Sequence, residues 1–122
     1  MGAAVDIWSE WLLNQRFAHL SEEERADTLR ALRFFRDTTL KHARLLPGQT
    51  VVDLGSGTGL LTHRAAELSG PQGLIIALDI SRKSLQELQN ADGPVPISAL
   101  TADAAMIPLR SGVADRIVMR SV

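Results

Sequence analysis

The chain has 122 residues, 45% of them hydrophobic and 22% charged, which is the balance of one small globular domain with a single core. A net charge of −1 gives no electrostatic case for nucleic acid, and no apolar run is long enough to span a bilayer. Zero cysteines exclude disulfides and thiolate metal sites, and the acidic opening (Asp6, Glu10, no basic stretch) is unlike a secretory signal, so a cytoplasmic protein is expected.

Asp6 to Asn14 reads as a short helix capped by Asp6, with Ile7 and Trp11 on one face. Its tryptophans are read as packing rather than as a lid. Ser21-Glu22-Glu23-Glu24 is a capping box that opens a long helix, expected to run to about Leu46 and to stop at Pro47-Gly48. Arg30, Arg33, Arg36, Lys41 and Arg44 on it are balanced by nearby acids and read as a solvated surface.

Gln49 to Leu54 is short and almost continuously apolar, as a strand covered on both faces should be. A glycine loop and a helix, Leu60 to Leu68, follow it. Ser69-Gly70-Pro71-Gln72-Gly73 ends that helix, and Leu74 to Leu78 is a second strand closed by Asp79. Ser81 caps a helix from Arg82 to about Gln89. A third strand reads from Val95 to Leu100, and Pro96 restricts it to an edge or to a start at Ile97. A loop runs to Leu109, Ser111-Gly112 turns the chain, and Asp115 to Arg120 is a fourth strand. The βαβαβ succession predicts an α/β fold with a doubly wound, mostly parallel sheet.

Strand, glycine loop and helix in succession open a nucleotide-binding βα unit. The dinucleotide fingerprint is G-x-G-x-x-G/A, but here Leu60 stands at the third glycine position and Gly59 precedes it, giving Gly55-x-Gly57-x-Gly59. Ligands of open α/β sheets lie at the carboxyl ends of the strands. Asp53 ends the first strand, Asp79 the second, and Asp103 follows the third. Asp79 lies 24 residues after Gly55, near the interval of a ribose-binding acid. Plainer readings exist: Gly55, Gly57 and Gly59 as a tight turn, Asp79 as a helix cap and Asp103 as an exposed loop acid. Asp115 reads as a strand-start residue. His19, His42 and His63 form no metal spacing, and nothing resembles a nucleophile elbow.

Val51-Val52-Asp53-Leu54-Gly55-Ser56-Gly57-Thr58-Gly59 resembles motif I of the class I S-adenosylmethionine (SAM)-dependent methyltransferases. Asp79-Ile80-Ser81 is similar to the family's ribose-binding acid and adenine-packing residue, and Ala102-Asp103-Ala104 to its adenine-binding motif. Asp115-Arg116-Ile117-Val118 resembles the start of its fourth strand, with Ala114 where an aromatic is common. The nearest likeness is to the ubiquinone/menaquinone-biosynthesis type. The resemblance implies SAM as cofactor and a small-molecule methyl acceptor, with no nucleic acid and no membrane as partner. It implies a cofactor set of Asp53, Gly55, Ser56, Gly57, Gly59, Asp79, Ile80, Asp103, Ala104 and Arg120, with no metal and no catalytic residue assigned.

The family's Rossmann-like sheet has the order 3-2-1-4-5-7-6, so the resemblance implies its first four strands, in the order 3-2-1-4, preceded by helices. The expected division is a helical cap over residues 1–48 and a SAM-binding half-domain over residues 49–122. The chain then reads as the N-terminal part of a methyltransferase. Its fourth strand would be an open edge, available for self-association or for a partner chain. A non-catalytic SAM-binding module that needs a partner is the alternative to an enzyme. A nucleotide-dependent oxidoreductase is a third reading, against which Leu60 and Asp103-Ala104 argue.

Overall fold

Ser21 caps helix α1 (Glu22–Ala43): its side chain accepts the Glu24 N–H at 3.1 Å, with Glu22, Glu23 and Glu24 in the first turn, where the helix dipole favours acids. The computed structural model describes residues 18–90 and 95–119; the helix expected at Asp6 to Asn14, and Arg120, lie outside the described residues. After α1 come β1 (Thr50–Leu54), α2 (Thr62–Ser69), β2 (Leu74–Asp79), α3 (Arg82–Asn90), β3 (Ile97–Thr101) and β4 (Arg116–Met119).

Helix α1 ends earlier than Pro47-Gly48 predicts. Arg44 takes the left-handed conformation (φ 54°, ψ 51°), its N–H donates to the Lys41 carbonyl, and the chain turns so that Leu45 packs against the core. Burying Leu45 decides the boundary, ahead of the proline. Arg36 departs from the solvated reading as well. It is 7% exposed, and its Nε donates to Asp37 Oδ1 at 2.9 Å. The acid beside it stays more than half exposed, so the ion pair bridges a buried guanidinium and a solvated carboxylate.

The four strands form one parallel sheet in the order β3-β2-β1-β4. This is the predicted Rossmann-like order. Pro96 has the expected effect: β3 begins at Ile97 and lies at an edge. Val51 is in register with Ile75 on one side and Arg116 on the other, and Asp53 with Ala77 and Val118. Side chains alternate across a strand, so Val51, Asp53, Ile75, Ala77 and Val118 share a face.

The described helices cover that face. Leu40 of α1 and Leu60, Leu61, Ala65 and Ala66 at α2 pack on Val51, Ile75 and Val118, while Leu85 and Leu88 of α3 pack on Ala77. On the other face Val52, Leu54, Ile76 and Leu78 are buried under Ala102, Leu109 and Ala114. Farther out on that face, Ile117 and Met119 of β4 remain more than half exposed. Asp115 staples the start of β4 to β1: its Oδ2 accepts the Thr50 N–H at 2.8 Å, and its own N–H donates to the Thr50 carbonyl.

Candidate functional site

The site forms where β1 and β2 end side by side. Gly55, Gly57 and Gly59 have φ of 67°, 55° and 105°, a region that side-chain-bearing residues avoid, so the loop's path needs glycine at each. The Gly55 and Ser56 N–H groups both donate to the Leu78 carbonyl, at 2.8 and 3.0 Å, and fold the loop over the end of β2. The Gly57 N–H donates to Asp79 Oδ2 at 2.8 Å. Three successive loop amides are therefore spent inside the protein. Gly59 is the tight position: a Cβ there would lie 2.9 Å from His63 Cδ2 and 3.2 Å from Leu88 Cγ. His63 of α2 thus packs beneath the loop.

Asp79 is held from two sides. Its Oδ2 takes the Gly57 N–H, and its Oδ1 takes the Ser81 N–H at 2.8 Å. Ser81 in turn caps α3 by accepting the Ser84 N–H. Strand-end acid and helix cap are thus separate residues. Each carboxylate oxygen of Asp79 keeps a lone pair for a hydroxyl.

Asp53 lies on the opposite side of the loop, 1% exposed, facing α2. Its Oδ2 accepts from Thr62 Oγ1 at 2.7 Å. Burial pushes the Asp53 carboxyl up to about 7; the Thr62 hydrogen bond opposes the rise and the nearby charge of Asp79 adds to it. Among the described residues, neither Asp53 nor Asp79 is joined to a lysine or arginine. Ser56 Oγ is buried without a hydrogen-bond partner in the structure.

Beside the loop opens a cleft of about 310 Å³, lined by Leu54, Gly55, Leu78, Asp79, Ile80, Ala102, Asp103 and Ala104. That is at the small end of the range for ligand sites. Ile80 is 73% exposed at its rim, an apolar side chain with one face free. Asp103 Oδ1 accepts the Ala105 N–H at 2.9 Å, and the Met106 N–H closes the turn on the Asp103 carbonyl. This turn presents Asp103 and Ala104 to the cleft.

The sequence-derived residues Gly55, Asp79, Ile80, Asp103 and Ala104 are thus gathered on one cleft, with Ser56, Gly57 and Gly59 in the adjoining loop. Asp53 is not on the cleft wall; it sits under the loop. Leu54 and Ala102 enter the sequence reading only as members of quoted motifs, and Thr62 and Leu78 were not assigned to the site at all. Thr62 had a signal: it is a polar residue in the first turn of the crossover helix, nine residues after a strand-end acid.

The profile of the family described as "Methyltransferase domain" matches residues 45–108, just over half of the chain and spanning the loop and the cleft. The chain is 31% identical over 77 residues to the ubiquinone/menaquinone biosynthesis C-methyltransferase UbiE of Wigglesworthia glossinidia brevipalpis, covering 60% of this chain and 31% of that protein. It is 32% identical over 91 residues to the protein of the same name from Coxiella burnetii (strain Dugway 5J108-111), covering 71% of this chain and 36% of the relative. The chain therefore spans about a third of the length of these curated relatives. A SAM-dependent methyltransferase of Aquifex aeolicus superposes with a TM-score of 0.62 at 26% identity, over 69% of this chain and 46% of that one. This chain belongs to the methyltransferase-domain family, in the class I SAM-dependent group whose sheet it shares.

Proposed function

We propose that this chain forms the cofactor-binding half of a SAM-dependent methyltransferase that acts on a small molecule. One observation carries the reading. The glycine loop has spent the amides of residues 55–57 on Leu78 and Asp79, and it lies between two carboxylates with no cation bonded to either among the described residues. A pyrophosphate needs free amides and positive potential. A cationic, phosphate-free ligand meets the opposite surroundings here, and SAM is such a ligand.

The residues fit the group. Asp79 accepts from ribose hydroxyls through the lone pairs its two backbone contacts leave free. Ile80 covers a face of the adenine ring, and Asp103 and the Ala104 N–H read its polar edge. The loop of Gly55, Ser56, Gly57 and Gly59 holds the amino-acid half, where the buried Ser56 hydroxyl lacks a partner. Asp53 supports that loop from beneath through Thr62.

SAM supplies a methyl group already activated by its sulfonium. What remains for the protein is to hold that carbon in line with the acceptor and to exclude water, which is catalysis by proximity. In the proposed division residues 49–122 hold the cofactor and residues 1–48 cap it; α1 already lies against the sheet, with the Arg116 Nε donating to the Ala43 carbonyl at 3.0 Å. No helix among the described residues is long and apolar enough to cross a membrane. The cytoplasm is the proposed setting.

A second reading, a SAM-binding module completed by another chain, is favoured by the exposed Ile117 and Met119 on β4. Calorimetric titration with S-adenosylhomocysteine (SAH) and, separately, with NAD tests the cofactor assignment. Micromolar binding of SAH with none of NAD is expected; the reverse would return the loop to the dinucleotide class.

A further inference from the structure

We propose a second ligand site, for a small amphiphilic carboxylate, in the groove between helices α1 and α2. The groove has a volume of about 260 Å³. Leu40, Leu45 and Leu68 give it an apolar lining, and Lys41, Arg44 and Arg64 supply cations. Asp37 is the acid among its described lining residues. None of these residues lines the cleft beside the glycine loop, so the two sites are separate.

Two helical stripes meet at the groove. Asp37, Lys41 and Arg44 recur at i, i+4 and i+7 along α1 and its cap, and Arg64 and Leu68 at i, i+4 on α2. Leu40 is buried and Leu45 half-buried, while Leu68 keeps apolar surface in water. The helix dipole accounts for Lys41 and Arg44, which lie at the carbonyl end of α1. It does not account for Arg64, which stands in the first turn of α2, where a cation is disfavoured. Asp37, four residues before Lys41, is held instead by Arg36 Nε at 2.9 Å, and Arg64 pairs with Glu67 at 2.6 Å. Among the described residues, neither Lys41 nor Arg44 is bonded to a carboxylate. On a chain of net charge −1, the groove is therefore a local positive field.

The backbone at Arg44 is a second, independent observation. Among the described residues it is the non-glycine residue with a left-handed φ, 54°. Glycine or asparagine ordinarily fills such a position after a helix. Here the chain keeps an arginine in the strained conformation, and that arginine lines the groove. Backbone strain of this kind collects at binding sites. Cations beside leucine side chains select an anionic head on an apolar tail. A carboxylate suits arginine, whose planar fork donates two parallel hydrogen bonds to it. At ~30 Å³ for each water-sized group, the groove holds roughly nine non-hydrogen atoms, so the tail is short. Phosphate alone would leave the leucines in water, and a neutral chain would leave the cations unanswered.

The test follows the backbone amides of the full chain by NMR while sodium octanoate, octan-1-ol or inorganic phosphate is added. Octanoate carries head and tail, octan-1-ol the tail alone and phosphate the charge alone. Octanoate should shift the amides of residues 37–45 and 64–68 saturably. Half-saturation is expected at about 1 mM, the affinity of a ligand of that size. The other two probes should bind about tenfold more weakly. Arg44→Gly removes the cation and relieves the left-handed backbone. It should melt no lower than the parent and bind octanoate about fivefold more weakly, which separates the site from the fold. SAH should not displace octanoate. Equal binding of octanoate and octan-1-ol, phosphate binding as tight as octanoate, or undiminished affinity in Arg44→Gly would overturn the site. So would shifts confined to the glycine loop and its cleft, or no shifts with any probe.

Discussion

Asp79 accepts the Gly57 N–H at 2.8 Å across 22 residues of sequence, so the acid at the end of β2 holds the glycine loop at the end of β1. The same carboxylate also takes the Ser81 N–H. Loss of the side chain should loosen the loop and delete the ribose acceptor together. Asp79→Ala is expected to weaken SAH binding by about 1.5–3 kcal/mol, the range for hydrogen bonds to charged groups. Calorimetry would check it, and undiminished affinity would take Asp79 out of the site.

Two glycines of the loop should separate folding from binding. A Cβ at Gly57 meets nothing within 4 Å, and its φ of 55° is the only obstacle to a side chain. Gly57→Val should therefore cost roughly 1–2 kcal/mol of stability, the penalty of the left-handed region. It should nevertheless abolish SAH binding, because the side chain enters the space the ligand needs. Gly59→Ala meets His63 at 2.9 Å and Leu88 at 3.2 Å, with a φ of 105°. Its cost should be larger, roughly 2–4 kcal/mol, from strain and overpacking combined. Urea denaturation of both variants beside their SAH titrations would show whether the order holds.

Asp53 should leave a mark on stability against pH. Its folded value near 7 exceeds the ordinary 3.8, so between those limits the unfolded chain releases a proton that the folded chain retains. Stability from this group is complete below pH about 4 and falls as the pH rises toward 7, by at most about 1.4 kcal/mol per pH unit. Asp53→Asn should flatten that part of the profile. Urea midpoints at pH 5 and pH 8 make the comparison, and an equal slope in the variant would assign the pH dependence elsewhere.

Removing the Asp115 side chain should be felt at β1. Asp115→Ala leaves the Thr50 N–H without its 2.8 Å partner. A loss of about 1 kcal/mol is expected, since that N–H is near enough to solvent to find water. Thermal melting would measure it, and SAH affinity should change little because the contact lies at the far end of the strand.

The elements most legible in the sequence are those fixed by local chemistry. The Ser21 capping box, the apolar runs of β1 and β2, the Ser81 cap and the late start of β3 after Pro96 each follow from residues within a few positions of one another. The glycine spacing and the strand-end acids were equally plain, and the cleft gathers Gly55, Asp79, Ile80, Asp103 and Ala104 as that pattern implies. What escaped depends on contacts distant in sequence. Helix α1 ends at Ala43, where Leu45 finds the core, and Arg36 is buried although it lies among residues of a charged helix face. The position of Asp53 under the loop, bonded to Thr62, follows from which face of β1 meets α2. Strand alternation fixes that face only once the helices have chosen a side.

The Thr50–Asp115 staple also sets an order of assembly. Pairing β1 with β2 joins Thr50 to Leu74, a closure of 24 residues, whereas the staple closes 65. By chain statistics the longer closure costs about 0.9 kcal/mol more entropy, before any difference in contacts. The β1-α2-β2 unit, which contains the glycine loop, can therefore collapse first and offer β1 as a template to which β4 is added. Seen this way, Asp115 is a late latch. The amides it secures should be among those that exchange with deuterium most readily in the central strand, and the ligand loop at its opposite end should already be in place when the latch closes.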